Sequence, residues 1–248
     1  MTEHIQVDVE ERVLRIRLHR PAKKNALTAD MYGAMTAALE RARSDEAIRA
    51  VLFVGSETCF TSGNDVGDFL QPRGVAGATF IKTLPRVEKP MVAAVAGPAV
   101  GVGSTLLLHC DLVYASENAY LRLPFVDLGI VPEAASSLLL PRIIGHARAS
   151  QLLLLGEMLK AEAAMTWGLV NEVVPVGQVE AHALAKAKLL AARAPAAVQA
   201  TKRLLKRAEE ATVAETMNIE LEEFSARLKS PEAREALQAF LEKRAPKF

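Results

Sequence analysis

Apolar and polar positions follow different rhythms along the chain. Over Ile5–Glu10 and Val13–Leu18 they alternate with period two, so one side of each segment faces a core, and the Glu-Glu turn between them predicts a β-hairpin. Residues 50–55 and 91–97 are instead apolar or small throughout, the pattern of strands buried on both faces. Shorter runs at Leu112–Ser116, 120–123 and 169–174 predict further strands. Helical spacing predicts a helix over 29–43 behind Thr28 as N-cap and an amphipathic helix over 79–87. Short helices are predicted over 105–108, 138–144, 149–155 and 161–167. After Pro175 strand signals stop, and helical patterns over 179–193, 196–210, 213–228 and 231–243 predict an all-helical appendage.

Two places share one design. Strand 91–97 ends on the breaker pair Gly97-Pro98, and the turn with Gly101 and Gly103 leads into a helix start. Strand 50–55 is followed by Phe60 and the polar turn Ser62-Gly63-Asn64-Asp65, where Asp65 caps a helix start at 66–70. A helix start leaves main-chain N–H groups unpaired at the positive end of the macrodipole, so each junction suits negative charge. If the two strands are neighbours, both junctions can offer an N–H to one space. A P-loop is excluded, because no lysine occurs between Lys89 and Lys160; a dinucleotide fingerprint fails because Leu106 stands where its third glycine belongs. Two readings of the glycine turn stay open: close approach of a ligand to the main chain, or a tight turn inside a core.

Glu133 follows Pro132 where the next helix begins, amid Val131, Ala134 and Leu138. It is either a partner of the helix dipole or, boxed in by apolar neighbours, a carboxyl whose pKa rises toward neutrality, as a general base requires. The loop from His19 to Lys24 is basic, and residues 71–77 are rich in Pro and Gly and read as mobile.

Composition narrows the classes. The chain has 248 residues, 50% hydrophobic and 24% charged, with net charge +1, which favours neither nucleic acid nor a membrane surface. The apolar stretch 91–108 approaches a membrane span in length but holds Pro98, Gly97, Gly101 and Gly103, and reads as core. The N-terminal residues lack a basic segment followed by an apolar one, so no secretory signal is expected and a cytoplasmic location is the default. Cys59 and Cys110 read as reduced, structural thiols. The five histidines are scattered, without metal-ligand spacing, and no Gly-x-Ser-x-Gly elbow exists, so neither metal nor serine-nucleophile chemistry is expected.

The blocks RPAKKNAL, CFTSGNDVGDF, KPMVAAVAGPAVGVGSTLLLHCD, LPFVDLGIVPEAASSLLLPRIIG, WGLVNEVVP and FLEKRAPKF closely resemble the crotonase, or enoyl-CoA hydratase/isomerase, superfamily over nearly the whole chain. The resemblance implies an α/β fold, a crotonase-like spiral of ββα units over residues 1–194, with a C-terminal helical trimerisation region over 195–248. It implies homotrimers or dimers of trimers, an acyl-CoA thioester as ligand, and no cofactor beyond the coenzyme A of the substrate. The thioester oxygen would be held by the main-chain N–H groups of Asn64 and Val102, supported by Ser62, Gly63, Asp65, Val66 and Gly101. Lys24 and Ala26 would lie at the adenine and phosphate end of CoA, with Phe240 and Lys243 reaching the same end from another subunit.

The reaction implied depends on carboxylates. Hydratases of the superfamily carry two glutamates at positions occupied here by Thr105 and Phe125, neither of which accepts a proton. Δ3-Δ2-enoyl-CoA isomerases use one glutamate, at the position of Glu133, and Phe125 would help to exclude water. The resemblance thus implies an isomerase of the kind found in fatty acid metabolism. Hydration, or another acyl-CoA reaction on the same scaffold, is one alternative, and a non-catalytic acyl-CoA-binding protein is another.

Overall fold

The computed structural model describes residues 2–69 and 75–248. The strands are β1 (Ile5–Glu10), β2 (Val13–Leu18), β3 (Ala50–Val54), β4 (Met91–Val95), β5 (Pro98–Val100), β6 (Leu112–Ser116), β7 (Tyr120–Arg122), β8 (Leu159–Lys160) and β9 (Glu172–Val174). They form a six-stranded sheet in the order β1-β2-β3-β4-β6-β9 and a three-stranded sheet in the order β5-β7-β8. The hairpin β1-β2 is antiparallel, and the other neighbours in the large sheet run parallel.

The helices up to the chain's midpoint are α1 (Ala29–Ser44), α2 (Val66–Phe69), α3 (Val75–Thr83) and α4 (Val102–Thr105). Beyond them come α5 (Ser136–Ile144), α6 (His146–Leu155), α7 (Ala161–Thr166) and α8 (Val179–Ala191). The chain closes with α9 (Pro195–Lys206), α10 (Glu210–Leu228) and α11 (Pro231–Glu242).

β3 and β4 are buried at every position, as their unbroken apolar runs require. Their alternate residues serve two cores. Val51 and Phe53, with Met91, Ala93 and Val95, join the larger core that α1 covers, whereas Ala50, Leu52, Val54, Val92 and Ala94 pack in a smaller one with Ala183, Ala187 and Ala191. Those three alanines recur every fourth residue along one face of α8, so the helix backbone can lie close to the sheet. The helical appendage expected after Pro175 therefore does not start at α8, which is part of the core.

Other sequence expectations need correction. Gly97-Pro98 does not end the strand region: the chain turns at Gly97 and continues at once as β5 in the second sheet. Proline is tolerated as the first residue of a strand, where its missing N–H breaks no ladder. The turn itself demands glycine, with φ of 60° and a side chain's Cβ destined to lie 2.0 Å from the Thr58 carbonyl oxygen. β8 was not foreseen, because a two-residue strand carries no periodicity. The helix expected over 79–87 starts at Val75 and gives way to a 3-10 turn at Leu84–Arg86, where Pro85 removes a donor. The helix expected over 105–108 is α4 followed by a 3-10 turn, Leu106–His109. Of the stretch 71–77 read as mobile, residues 71–74 lie outside the described residues, as does Leu70 at the end of the helix start expected over 66–70; Val75 onward is helical.

Among the described residues, no helix is long and apolar enough to cross a membrane.

Candidate active site

Parallel pairing of β3 with β4 brings the two strand-to-helix junctions side by side. A short bridge from Thr61 to Ala99 joins them further, and another from Leu27 to Asn64 ties the basic loop to the first junction. Thr61 donates its N–H to the Pro98 carbonyl at 3.0 Å, and Val100 donates back to Thr61 at 3.0 Å. The glycine turn is fixed from within: Ser104 and Thr105 both donate N–H groups to the Gly101 carbonyl, at 2.9 and 3.0 Å. Gly101 has φ 56° and ψ −119°, a conformation that a Cβ would strain. Among the described residues, nothing accepts a hydrogen bond from the main-chain N–H of Asn64 or of Val102.

The basic loop is tied to the first junction by groups the sequence did not single out. Asn25, fully buried at φ 55°, accepts from the Arg20 N–H at 2.8 Å and donates to the Cys59 carbonyl at 2.8 Å. Asparagine is among the few residues that tolerate the left-handed region. Arg20 pairs with Asp65 at 2.6 Å, and Asp65 also accepts from Gly67 at 3.0 Å, so it is the α2 cap expected. That ion pair holds the Asp65 carboxyl below its usual range.

A cavity of about 300 Å³ opens at the junctions. Ser62, Gly63, Asn64, Val66, Gly101 and Val102 line it from one side. Phe125 lines it too, together with Ile130 and, from the C-terminal helices, Leu237 and Phe240. Lys24, Ala26, Asp65, Glu133 and Lys243 are not among its lining residues. Phe240 reaches the cavity of its own chain, whereas the sequence resemblance assigned it to another subunit; α11 folds back over the segment Val126–Leu128. Lys243 instead ends α11 in a left-handed conformation, and its neighbour Arg244 lines the cavity.

Glu133 is buried, 5% exposed. It precedes α5, which begins three residues later at Ser136 and not directly after Pro132. The cause is a turn in which Ala134 and Ala135 take φ of 60° and 56°, delaying the helix. The Thr105 hydroxyl, one helical turn beyond Val102, donates to Glu133 Oε1 at 2.9 Å. Tyr32 of α1 donates its hydroxyl to Asn64 Oδ1, and its own pKa is raised by burial and by the charge of Glu133. Tyr32, Asn64, Thr105 and Glu133 therefore form one polar group in an apolar setting. The sequence does not mark Tyr32, because an apolar-periodic helix gives an aromatic residue no sign beyond core packing; its ring also packs at a tilt against Phe80, centroids 5.5 Å apart.

Burial pushes the Glu133 carboxyl up from 4.5 to about 7; the Thr105 bond acts against this and the charge of Glu220 adds to it. The sign of the stability effect follows. The folded chain binds the proton more tightly, so the contribution of the neutral carboxyl is complete below about pH 4.5 and is lost as pH rises to about 7. Its size is about 3 kcal/mol. Glu133→Gln, which stays neutral, is therefore expected to gain ~3 kcal/mol over the wild type on going from about pH 4 to about pH 8 in denaturant unfolding. An equal difference at both pH values would mean that Glu133 ionises freely.

Burial also raises Cys59 to about 11 and Cys110 to about 12, which makes both thiols poor nucleophiles at neutral pH. Among the described residues, no three His, Cys, Asp or Glu side chains are placed to hold a metal ion.

Fold and site together define a class: an α/β spiral with a cavity lined by two strand-to-helix junctions, and a buried carboxyl of raised pKa hydrogen-bonded to Thr105. The sequence profile of the enoyl-CoA hydratase/isomerase family matches residues 8–248, and the chain belongs to that family. It is 35% identical over 254 residues to enoyl-CoA delta isomerase 2 of Rattus norvegicus, covering 98% of this chain but only 64% of the rat protein's length. It is 34% identical over 249 residues to 2,3-dehydroadipyl-CoA hydratase of Escherichia coli K12, covering 98% of this chain and 97% of that one. The crystal structure of an enoyl-CoA hydratase/isomerase from Pseudoalteromonas atlantica T6c matches with a TM-score of 0.96 at 43% identity, covering 99% of this chain and 100% of that one. The crotonase-like spiral implied by the sequence blocks is thus the observed fold. Relatives carry both isomerase and hydratase names.

Proposed function

We propose that this protein is an acyl-CoA double-bond isomerase converting a 3-enoyl-CoA to a 2-enoyl-CoA. The observation that carries the reading is Glu133: buried, raised to about 7, and accepting a hydrogen bond from Thr105, which occupies one of the two hydratase glutamate positions. Phe125 occupies the other and is 5% exposed.

In this mechanism the thioester oxygen accepts hydrogen bonds from the N–H groups of Asn64 and Val102, which form an oxyanion hole. Glu133, as carboxylate, removes a proton from C2. The electron pair of that C–H bond moves toward the thioester, and the enolate oxygen takes the negative charge. The same carboxyl then returns the proton to C4 while the C3–C4 double bond shifts to C2–C3. No atom is gained or lost, so a single base suffices and no cofactor beyond the CoA of the substrate is used. A carboxyl near pH 7 suits both steps, since it gives up the proton as readily as it takes it.

The CoA portion would lie across the loop with Lys24 and Ala26, with Phe240 and Lys243 contributed by another subunit of the assembly at its nucleotide end. Exposed Leu204, Leu205 and Ile219 on the last helices support assembly into a homotrimer or a dimer of trimers through 195–248. Incubation with a 3-enoyl-CoA and, separately, with a 2-enoyl-CoA tests the reading. The expected result is conjugated thioester from the first and no 3-hydroxyacyl-CoA from the second. Hydration of the second without isomerisation of the first would overturn it.

A further inference from the structure

The turn that carries Glu133 is strained and is held from outside. Ala134 and Ala135 are both fully buried and both left-handed, a conformation that residues with a Cβ adopt only at a cost. Two side chains remote in sequence clamp it. His109, neutral because burial and the nearby Lys202 and Lys206 lower its pKa to about 4, donates Nε2–H to the Ala134 carbonyl at 2.8 Å. From α10, Glu220 accepts from the Ala135 N–H at 2.6 Å with one oxygen, and from the Ser137 N–H at 2.9 Å and hydroxyl at 2.5 Å with the other. Glu220 is 6% exposed, and α5 has no side-chain cap of its own.

We propose that Glu220 is the positioning residue for Glu133: by bridging Ala135 and Ser137 it fixes the left-handed turn that holds the base against Thr105, so that the competence of the base depends on a helix of the C-terminal region. This rests on Glu133 being the base. Three donors converge on one buried carboxylate, and every one of them lies on Ala135 or Ser137, within four residues of Glu133. The charge of Glu220 also disfavours ionisation of Glu133. The other titratable groups around the turn are Tyr32 on α1 and His109, with Lys202 and Lys206 of α9 and their partner Asp111 behind the histidine.

The test compares Glu220→Gln, which keeps the shape but loses the charge and turns a donor toward an N–H, with Glu220→Asp, which keeps the charge but retracts it. Titration of carbon-13 carboxyl-labelled protein follows Glu133 directly, its resonance assigned by its loss in Glu133→Gln. The midpoint is expected to fall in Glu220→Gln relative to the wild type and to stay within a few tenths of a pH unit in Glu220→Asp. Both variants should lose about tenfold in kcat, with little change in the Kd for an unreactive saturated acyl-CoA. Should Glu220→Gln not fold, Ser137→Ala, which removes one of the three donors, is read the same way and is expected to lower kcat about threefold at unchanged Kd. Unchanged kcat in the folded protein with an unmoved Glu133 midpoint, or loss confined to melting temperature and Kd, overturns the proposal. The carboxyl titration needs no turnover, so it reports on Glu220 even where the isomerase assay is negative.

Discussion

Glu133→Gln is expected to lower kcat by about 10²–10⁴-fold while leaving the Kd for an unreactive acyl-CoA nearly unchanged. The amide keeps the size and one acceptor oxygen, so the Thr105 hydroxyl can still donate to it; what disappears is the capacity to take a proton. Because the exchange keeps size and shape and only the proton transfer is lost, the remaining acyl-CoA contacts should survive. The loss should appear in kcat and kcat/KM equally, the mark of an interaction made only in the transition state. In the wild type the rate should rise with pH through about 7, as the base ionises, and this limb should vanish in the residual activity of the variant. The rate is measured by single-turnover growth of the conjugated thioester. Turnover within threefold of wild type would remove Glu133 from the mechanism, and with it the isomerase reading.

How much of this site the sequence disclosed depended on how each part is encoded. β3 and β4 declare themselves because burial on both faces forbids any polar residue, and the two junctions follow from glycines and a capping aspartate placed at the strand ends. Glu133 could be singled out because a carboxyl among Val131, Ala134 and Leu138 is an anomaly. Its surroundings could not. Glu220 lies on a helix where glutamate is ordinary, and only tertiary packing brings it to Ala135. Alanine gives no hint of a left-handed backbone, so the sequence does not show the turn between Glu133 and α5. Arg20 was visible as one more cation in a basic loop, yet its partner Asp65 is distant in the chain and had already been assigned to a cap. Periodicity reports which face is buried; it does not report which polar atoms meet there.

The second large effect concerns a main-chain donor, which a side-chain exchange leaves in place. Val102→Pro removes the N–H itself. Position 102 is the first residue of α4, where a proline ring suits the helix and no intrahelical bond is lost. Gly101, at ψ −119°, already lies outside the helical region that a following proline would forbid. The turn keeps its own fastening, because the bonds to the Gly101 carbonyl come from Ser104 and Thr105 and not from Val102. Proline also places a CH₂ where the thioester oxygen would sit, so the hole loses a donor and gains an obstruction. Removal of one such donor lowers kcat by about 10²–10³-fold, and a loss of at least that size is expected here. Val102→Ala, which trims the side chain but keeps the N–H, is the control for packing, and it should retain most of the wild-type kcat. Circular dichroism and the melting temperature show whether both variants are folded. Equal kcat in folded Val102→Pro and Val102→Ala would mean that the glycine turn is only a turn, and that the substrate oxygen is held elsewhere.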